Sequence, residues 1–194
     1  KDRLAFFEIG PVFLPQEDKV LPQELNMLTI AMTGKRYPAV WDLPLSGEMD
    51  FFDLKGIVES LLSSLHISDV NYEPGENDSL HPGKSAQIIV NKVVIGVLGE
   101  LHPEVKENYD FLEPAVLVAE ININDLINSI PQLYEIRSVP VFPPVLEDIA
   151  VIVDEDLPAD RVEALIRQTG GKILSDVRLF DVFRSEQIGS GKKS

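Results

Sequence analysis

Apolar residues recur along the chain with two periods, which separates helix-like from strand-like segments. Residues 4–9 form a strand-like run. From Asp50 onward, apolar residues recur three and four positions apart, as on one face of an amphipathic helix. The members of this stripe are Leu54, Ile57, Val58, Leu61, Leu62 and Leu65. Asp50 or Asp53 can cap the helix start, and Gly56 predicts close packing against a neighbouring strand.

Two β-branched runs further along surround a short turn. Residues 86–90 and 93–99 flank Asn91-Lys92, and an asparagine-led turn of two residues between such runs is typical of a hairpin. The sequence therefore predicts an antiparallel strand pair here.

Three shorter elements follow the hairpin. Pro103 suits the first turn of a helix that ends near Tyr109, residues 116–121 predict a strand, and Asn124 can cap another short helix. Interspersed helices and antiparallel strands predict an α+β fold for this part of the chain.

Proline-rich residues 139–144 indicate a stiff, extended linker. They divide the chain into two predicted domains, residues 1–137 and residues 138–194. Because the first domain opens inside a strand-like run and the second stops after a turn, we expect a piece of a larger protein.

The predicted second domain has the order β-α-β. Residues 149–153 predict a strand, an acidic turn follows at 154–156, Pro158 lies in the first turn of a helix, and Gly170-Gly171 end that helix. Residues 173–183 predict the second strand. This order is the first half of a ferredoxin-like split β-α-β unit, cut before its third strand.

Composition excludes several classes of site. The 194 residues are 44% hydrophobic and include no cysteine, which excludes disulfide scaffolds, thiolate zinc sites and cysteine nucleophiles and favours a reducing, cytoplasmic location. A net charge of -15 argues against indiscriminate nucleic-acid binding. Residues 147–160 hold six acids and no base, whereas residues 161–194 hold seven bases and four acids.

The terminal glycines and lysines resemble a phosphate-binding loop at first sight. With Gly191-Lys192 as its core, however, that motif needs glycine where Glu186 stands, Ser or Thr where Lys193 stands, and a helix afterwards. The sequence therefore favours a turn between two strands with solvated lysines.

Cations surround two aromatic residues near the C-terminal end, a combination that suits single-stranded RNA because rings stack on bases while cations contact phosphates. The aromatic residues are Phe180 and Phe183, and the cations are Arg178, Arg184, Lys192 and Lys193. In the competing interpretation, one or both rings belong to a core.

Other candidate chemistry is sparse. The three histidines, His66, His81 and His102, lack the spacing of a metal site, and a histidine before proline is typical of a cap or a loop. No pattern supports a serine nucleophile. We therefore predict no catalytic residue and no metal ligand in this chain.

Several motifs follow one another in a distinctive order. They are FEIG at 7–10, VF at 12–13, DFFDLKG at 50–56, LHPGKSA at 80–86, GELHP at 99–103, FPP at 142–144, DIA at 148–150, VRLFDVF at 177–183 and GKKS at 191–194. In this order they resemble the β subunit of bacterial phenylalanyl-tRNA synthetase, in its C-terminal part.

The resemblance implies two pieces with different roles. Residues 1–137 would be the C-terminal part of a degenerate class II synthetase module, which packs against a catalytic α subunit. Residues 138–194 would begin the ferredoxin-like anticodon-binding domain, with Phe183 against an anticodon base of tRNA-Phe.

For the whole enzyme, the resemblance implies a heterotetramer that uses ATP and Mg²⁺, with no cofactor bound by this chain. A different class of function stays open on the residues alone, namely a ferredoxin-like regulatory module that binds a small metabolite.

Overall fold

A computed structural model describes residues 3–17, 19–38, 41, 47–111, 114–133, 136 and 141–194. The chain forms two compact units, Lys1–Ile136 and Arg137–Ser194. The predicted division between residues 137 and 138 and the first two linker residues, 139 and 140, lie outside the described residues. No helix among the residues described is long and apolar enough to cross a membrane.

The first unit is built on a six-stranded antiparallel sheet, in agreement with the predicted α+β class. In chain order its strands are β1 Arg3–Leu14, β2 Gln23–Gly34, β3 Val70–Glu73, β4 Leu80–Val90, β5 Val93–Leu101 and β6 Val116–Asn122. The order across the sheet is β1-β2-β6-β5-β4-β3, so β1 and β3 are its edges. Its helices are α1 Phe51–Ser64, α2 Pro103–Asn108 and α3 Ile123–Asn128.

Helix α1 confirms the predicted apolar stripe, with one exception. Leu54, Val58 and Leu62 are buried in the core between α1 and the sheet, each burial stabilising the fold by about 1.5–3 kcal/mol. Ile57 is 42% exposed instead, because it lies at the margin of the stripe. The expectation for Gly56 was wrong, since a Cβ there would meet no atom within 4 Å.

The hairpin prediction is confirmed. Strands β4 and β5 pair up to Val90 and Val93, and the turn residues Asn91 and Lys92 have φ angles of 49° and 68°. Positive φ at both positions is the signature of a type I′ turn, whose twist matches that of the flanking strands.

The cap of helix α3 differs from the prediction. The Asn122 side chain, not that of Asn124, accepts hydrogen bonds from the backbone N–H groups at the helix start. The helix therefore begins at Ile123, directly after β6.

The second unit contains β7 Val153–Asp154, α4 Ala159–Gly170, the 3₁₀ turns Gly171–Ile173 and Glu186–Ile188, and β8 Lys192–Lys193. Helix α4 confirms the predicted helix and ends at Gly171, whose φ is 60°. Pro158 is its N-cap and not part of its first turn. None of the residues of helix α4 is buried.

Both predicted strands of the second unit were too long. Only Val153 of the first forms a strand, and residues 174–183 form none. Strand β8 pairs antiparallel with β7, while Phe183 and Ser194 exchange backbone hydrogen bonds on the other side. Residues 192–194 thus lie between β7 and Phe183, which is the position of the central strand in a split β-α-β unit.

Candidate nucleic-acid interface

Phe183 combines a fixed backbone with a free ring. Its N–H donates to the Ser194 carbonyl oxygen at 2.7 Å, and the Ser194 N–H donates back to the Phe183 carbonyl oxygen at 2.9 Å. The residue is nevertheless 56% exposed. Phe180 is 72% exposed, so neither ring forms part of a core within the described residues. An exposed ring on a paired backbone offers a flat face at a defined position.

Three of the four predicted cations lie close to Asp154, the last residue of β7, or to Glu155, which follows it. Arg184 donates from Nε and Nη2 to Glu155 Oε1, at 2.9 and 2.8 Å. Lys193 Nζ donates to the Glu155 carbonyl oxygen at 2.7 Å, and Lys192 Nζ lies 4.0 Å from Asp154 Oδ1. The lysines are therefore not simply solvated, which corrects the sequence-based expectation.

The ion pair at Glu155 keeps both partners charged. The hydrogen bond from Arg184 lowers the pKa of the Glu155 carboxyl, and the same bond raises the pKa of Arg184. Because the pair is well exposed, water screens it, and it adds little to folding stability. It chiefly holds the guanidinium in one orientation.

Arg178 stands apart from this group. The residue is exposed, and no ion pair joins it to any residue that the structure describes. Its contact with RNA stays a prediction, and within the described part of the chain no ion pair orients its side chain as Glu155 orients that of Arg184.

Asp154 and Glu155 were not predicted as part of the interface. The run of six acids at residues 147–160 was visible in the sequence, but the pairing of its members with Arg184 and Lys193 was not. These partners lie 29 and 38 positions away, and only the return of β8 alongside β7 brings them together.

In the first unit, the candidate groups have structural roles. His81 Nδ1 accepts from the Gly83 N–H at 3.0 Å, and His102 Nδ1 caps α2 by accepting from the Glu104 N–H at 3.3 Å. These contacts confirm the interpretation of histidines before proline as turn and cap residues. Within the described residues, no group of three His, Asp or Glu side chains could hold a metal ion.

The acids at the start of α1 also serve structure. Asp50 and Asp53 form a reciprocal capping box, and Arg36 donates to the Asp53 carboxylate from Nε at 2.7 Å. This side-chain hydrogen bond from Arg36 lowers the pKa of Asp53. Capping and an ion pair explain both carboxylates without acid–base chemistry.

Comparison with known sequences matches each unit to a separate family. Residues 1–123 match the family described as "Phenylalanyl tRNA synthetase beta chain CLM domain", and residues 140–194 match the "Ferredoxin-fold anticodon binding domain".

Curated relatives give the same result. The chain is 44% identical over 191 residues to the phenylalanine–tRNA ligase beta subunit of Symbiobacterium thermophilum, covering 98% of this chain and 21% of the relative. The corresponding Clostridium tetani protein is 41% identical over 190 residues, 97% of this chain and 22% of the relative. That of Bacillus subtilis is 34% identical over 197 residues, 100% and 24% respectively. The chain thus spans less than a quarter of the length of these relatives.

Proposed function

The chain belongs to the phenylalanyl-tRNA synthetase beta chain family, and on that premise we propose that it takes part in charging tRNA-Phe with phenylalanine. Its first unit serves as a scaffold for a catalytic α subunit. Its second unit contributes to recognition of the tRNA anticodon. The observation that carries the second role is the exposed Phe183 ring, with Arg184 held beside it in a segment that matches an anticodon-binding domain.

The RNA contact follows from what each side chain can offer. The Phe183 ring stacks on an unpaired base, a contact worth about 1–3 kcal/mol. Arg184, Lys192 and Lys193 contact the adjacent phosphates, and Arg178 adds a further cation that no ion pair with a described residue positions. Phenylalanine retains the stacking face without a hydroxyl, so we expect the ring to recognise base shape and not a hydrogen-bonding edge.

This contact is tested in the complete two-subunit enzyme with Phe183→Ala. Loss of one stacking contact should raise the KM for tRNA roughly 5- to 140-fold, because each 1.4 kcal/mol is a factor of ten. Phe142→Ala is the control, since that ring is 83% exposed in the same unit but has no role in the proposal. An unchanged KM in the Phe183 variant would remove this ring from the interface.

The scaffold role is supported by the edge of the first sheet. Strand β1 has an unpaired outer edge and exposed apolar side chains, and an apolar groove lies between it, β2 and α1. A large exposed apolar surface of this kind marks a protein contact. Phe7 is 70% exposed and lines the groove, so Phe7→Ser should weaken co-purification with the α subunit while Val20→Ser should not.

Catalysis is assigned to the α subunit. We give Mg²⁺ and ATP no ligands in this chain, because the family resemblance places the working active site in that subunit. Phenylalanine-dependent exchange between ATP and pyrophosphate by the chain alone would contradict this assignment.

We further propose a cytoplasmic location and a heterotetrameric enzyme. The alternative of a small-metabolite regulatory module is not favoured, because residues 140–194 match an anticodon-binding domain and the curated relatives are ligase subunits.

A further inference from the structure

The turn that leads into β8 forms a hollow beside Phe183. Its lining residues are Arg184, Ser185, Gly189, Ser190 and Lys192. Of these five residues, two carry a cation and two carry a hydroxyl. Gly189 and Gly191 have φ angles of 109° and 72°, which allow the backbone to curve around this space.

Hydrogen-bond donors remain available in the hollow. Arg184 uses Nε and Nη2 for Glu155, and its Nη1 has no hydrogen bond to any described residue. The Ser185 hydroxyl oxygen accepts from the Gln187 N–H at 3.2 Å, which leaves its proton free to donate elsewhere. Lys192 Nζ, 4.0 Å from Asp154, is too far for a hydrogen bond to that carboxylate.

Glu155 connects the hollow to the strand pair. Its N–H donates to the Gly191 carbonyl oxygen at 2.9 Å, its carbonyl oxygen accepts from Lys193, and its carboxylate holds Arg184. The guanidinium is therefore fixed to a backbone that is itself part of the turn. A pre-oriented guanidinium loses less conformational entropy when it binds an anion.

We propose that this hollow binds one phosphate of a single-stranded RNA chain, with Arg184, Lys192 and the Ser185 hydroxyl as ligands and Glu155 as the positioning residue for Arg184. The proposal rests on the RNA contact proposed above and adds a site for the phosphodiester next to the stacked base. Because Arg184 directly follows Phe183, base and phosphate are bound by adjacent residues.

The test uses the full 194-residue chain and a seven-nucleotide single-stranded RNA, with dissociation constants measured by NMR across a series of KCl concentrations. Each phosphate contact contributes about 0.7 to the slope of log affinity against log salt for a single strand. Arg184→Gln should therefore weaken binding and reduce that slope by about 0.7, with Lys192→Gln acting similarly. The double variant should reduce the slope little further, because both cations share one phosphate.

Arg167→Gln is the matched control. Arg167 forms the same kind of exposed ion pair, with Glu163 at 2.8 Å, but on α4 and outside the hollow. Its substitution should leave the salt slope unchanged. If Arg167→Gln and Arg184→Gln reduced the slope equally, the effect would come from net charge alone, and the proposed site would be wrong. Backbone amide signals of Ser185, Gly189 and Ser190 should shift on RNA addition, and no shift with RNA or with inorganic phosphate would overturn it as well.

Two further measurements distinguish an error in the stacking contact from an error in the phosphate site. Glu155→Gln should weaken binding a few-fold although it removes a negative charge; tighter binding would show that Glu155 only competes with phosphate. If Phe183→Ala changes nothing while Arg184→Gln reduces the slope, the stacking contact fails and the phosphate site stands. If inorganic phosphate binds as tightly as the RNA, the hollow is a general anion site and its assignment to RNA is wrong.

Discussion

At the scale of single residues, the glycines of the first unit differ in what their surroundings permit. Gly56 in α1 would place a Cβ in open space, whereas a Cβ on Gly96 in β5 would lie 2.3 Å from the Glu120 carbonyl oxygen. The helical glycine therefore only costs backbone entropy, while the strand glycine allows β5 and β6 to approach.

Gly56→Ala should consequently stabilise the chain by about 0.5–1 kcal/mol, because alanine is the better helix former and nothing obstructs it. Gly96→Ala should destabilise it by about 1–3 kcal/mol or more, since the backbone of β6 must move. Urea unfolding of both variants checks the pair of predictions. A loss of stability in Gly56→Ala would show that the helix surface is covered within the chain.

Asp53 provides a prediction on pH. Its pKa is lowered in the folded state by the Arg36 hydrogen bond, so it contributes stability that is present above the unfolded pKa of about 3.9 and is lost as pH falls through the lower folded pKa. Asp53→Asn should therefore be less stable than the parent chain at pH 7, by about 1 kcal/mol as for a lost helix cap.

Urea midpoints of the two proteins at neutral and acidic pH measure this linkage. The difference in stability between the two proteins should narrow as pH falls below about 4, because the unfolded parent chain then binds a proton at Asp53 that the folded chain, with its lowered pKa, still excludes. A difference that stays constant across that range would mean that the carboxylate charge is not what stabilises the helix start.

At the scale of elements, the β4–β5 hairpin has one residue that its conformation does not favour. Lys92 has a φ of 68°, in the left-handed region that glycine adopts without steric cost. Lys92→Gly should raise the melting temperature by a few degrees, since Asn-Gly is the preferred type I′ sequence. Lys92→Val should lower it, because a β-branched residue is strained there. Calorimetry on both variants gives the comparison.

Local signals explain why the helices and the hairpin could be predicted and other elements could not. Helix α1 is predicted by the spacing of its apolar residues and by the acids that cap its start, and Asn91-Lys92 predicts the hairpin turn. The strand pairing of the second unit depends instead on residues 192–194, which return alongside β7 and Phe183. The apolar pattern of residues 149–153 and 173–183 gives no sign of this pairing. In the site, the sequence showed Phe183 as an aromatic residue beside cations but left open whether its ring belongs to a core. Glu155 was missed altogether, because its contacts arise only from tertiary pairing.

At the scale of the whole molecule, the two units differ in how much core they possess. The first unit buries a continuous cluster that includes Leu54, Ile88, Leu98 and Ile121 at 0% exposure. The described residues of the second unit, 141–194, include none that is buried. Because burial of apolar surface is the dominant favourable term in folding, the second unit should be much the less stable.

The chain should therefore unfold in two steps instead of one. On heating, NMR signals of Val153, Leu174 and Ser194 should collapse to random-coil positions while the methyl groups of Ile88 and Leu98 remain dispersed. Addition of a single-stranded oligonucleotide should move only the first step to higher temperature, since a ligand stabilises the unit that it binds. A single transition seen by all probes would show that the two units stabilise each other, and a shift of the second step alone would locate RNA binding in the first unit.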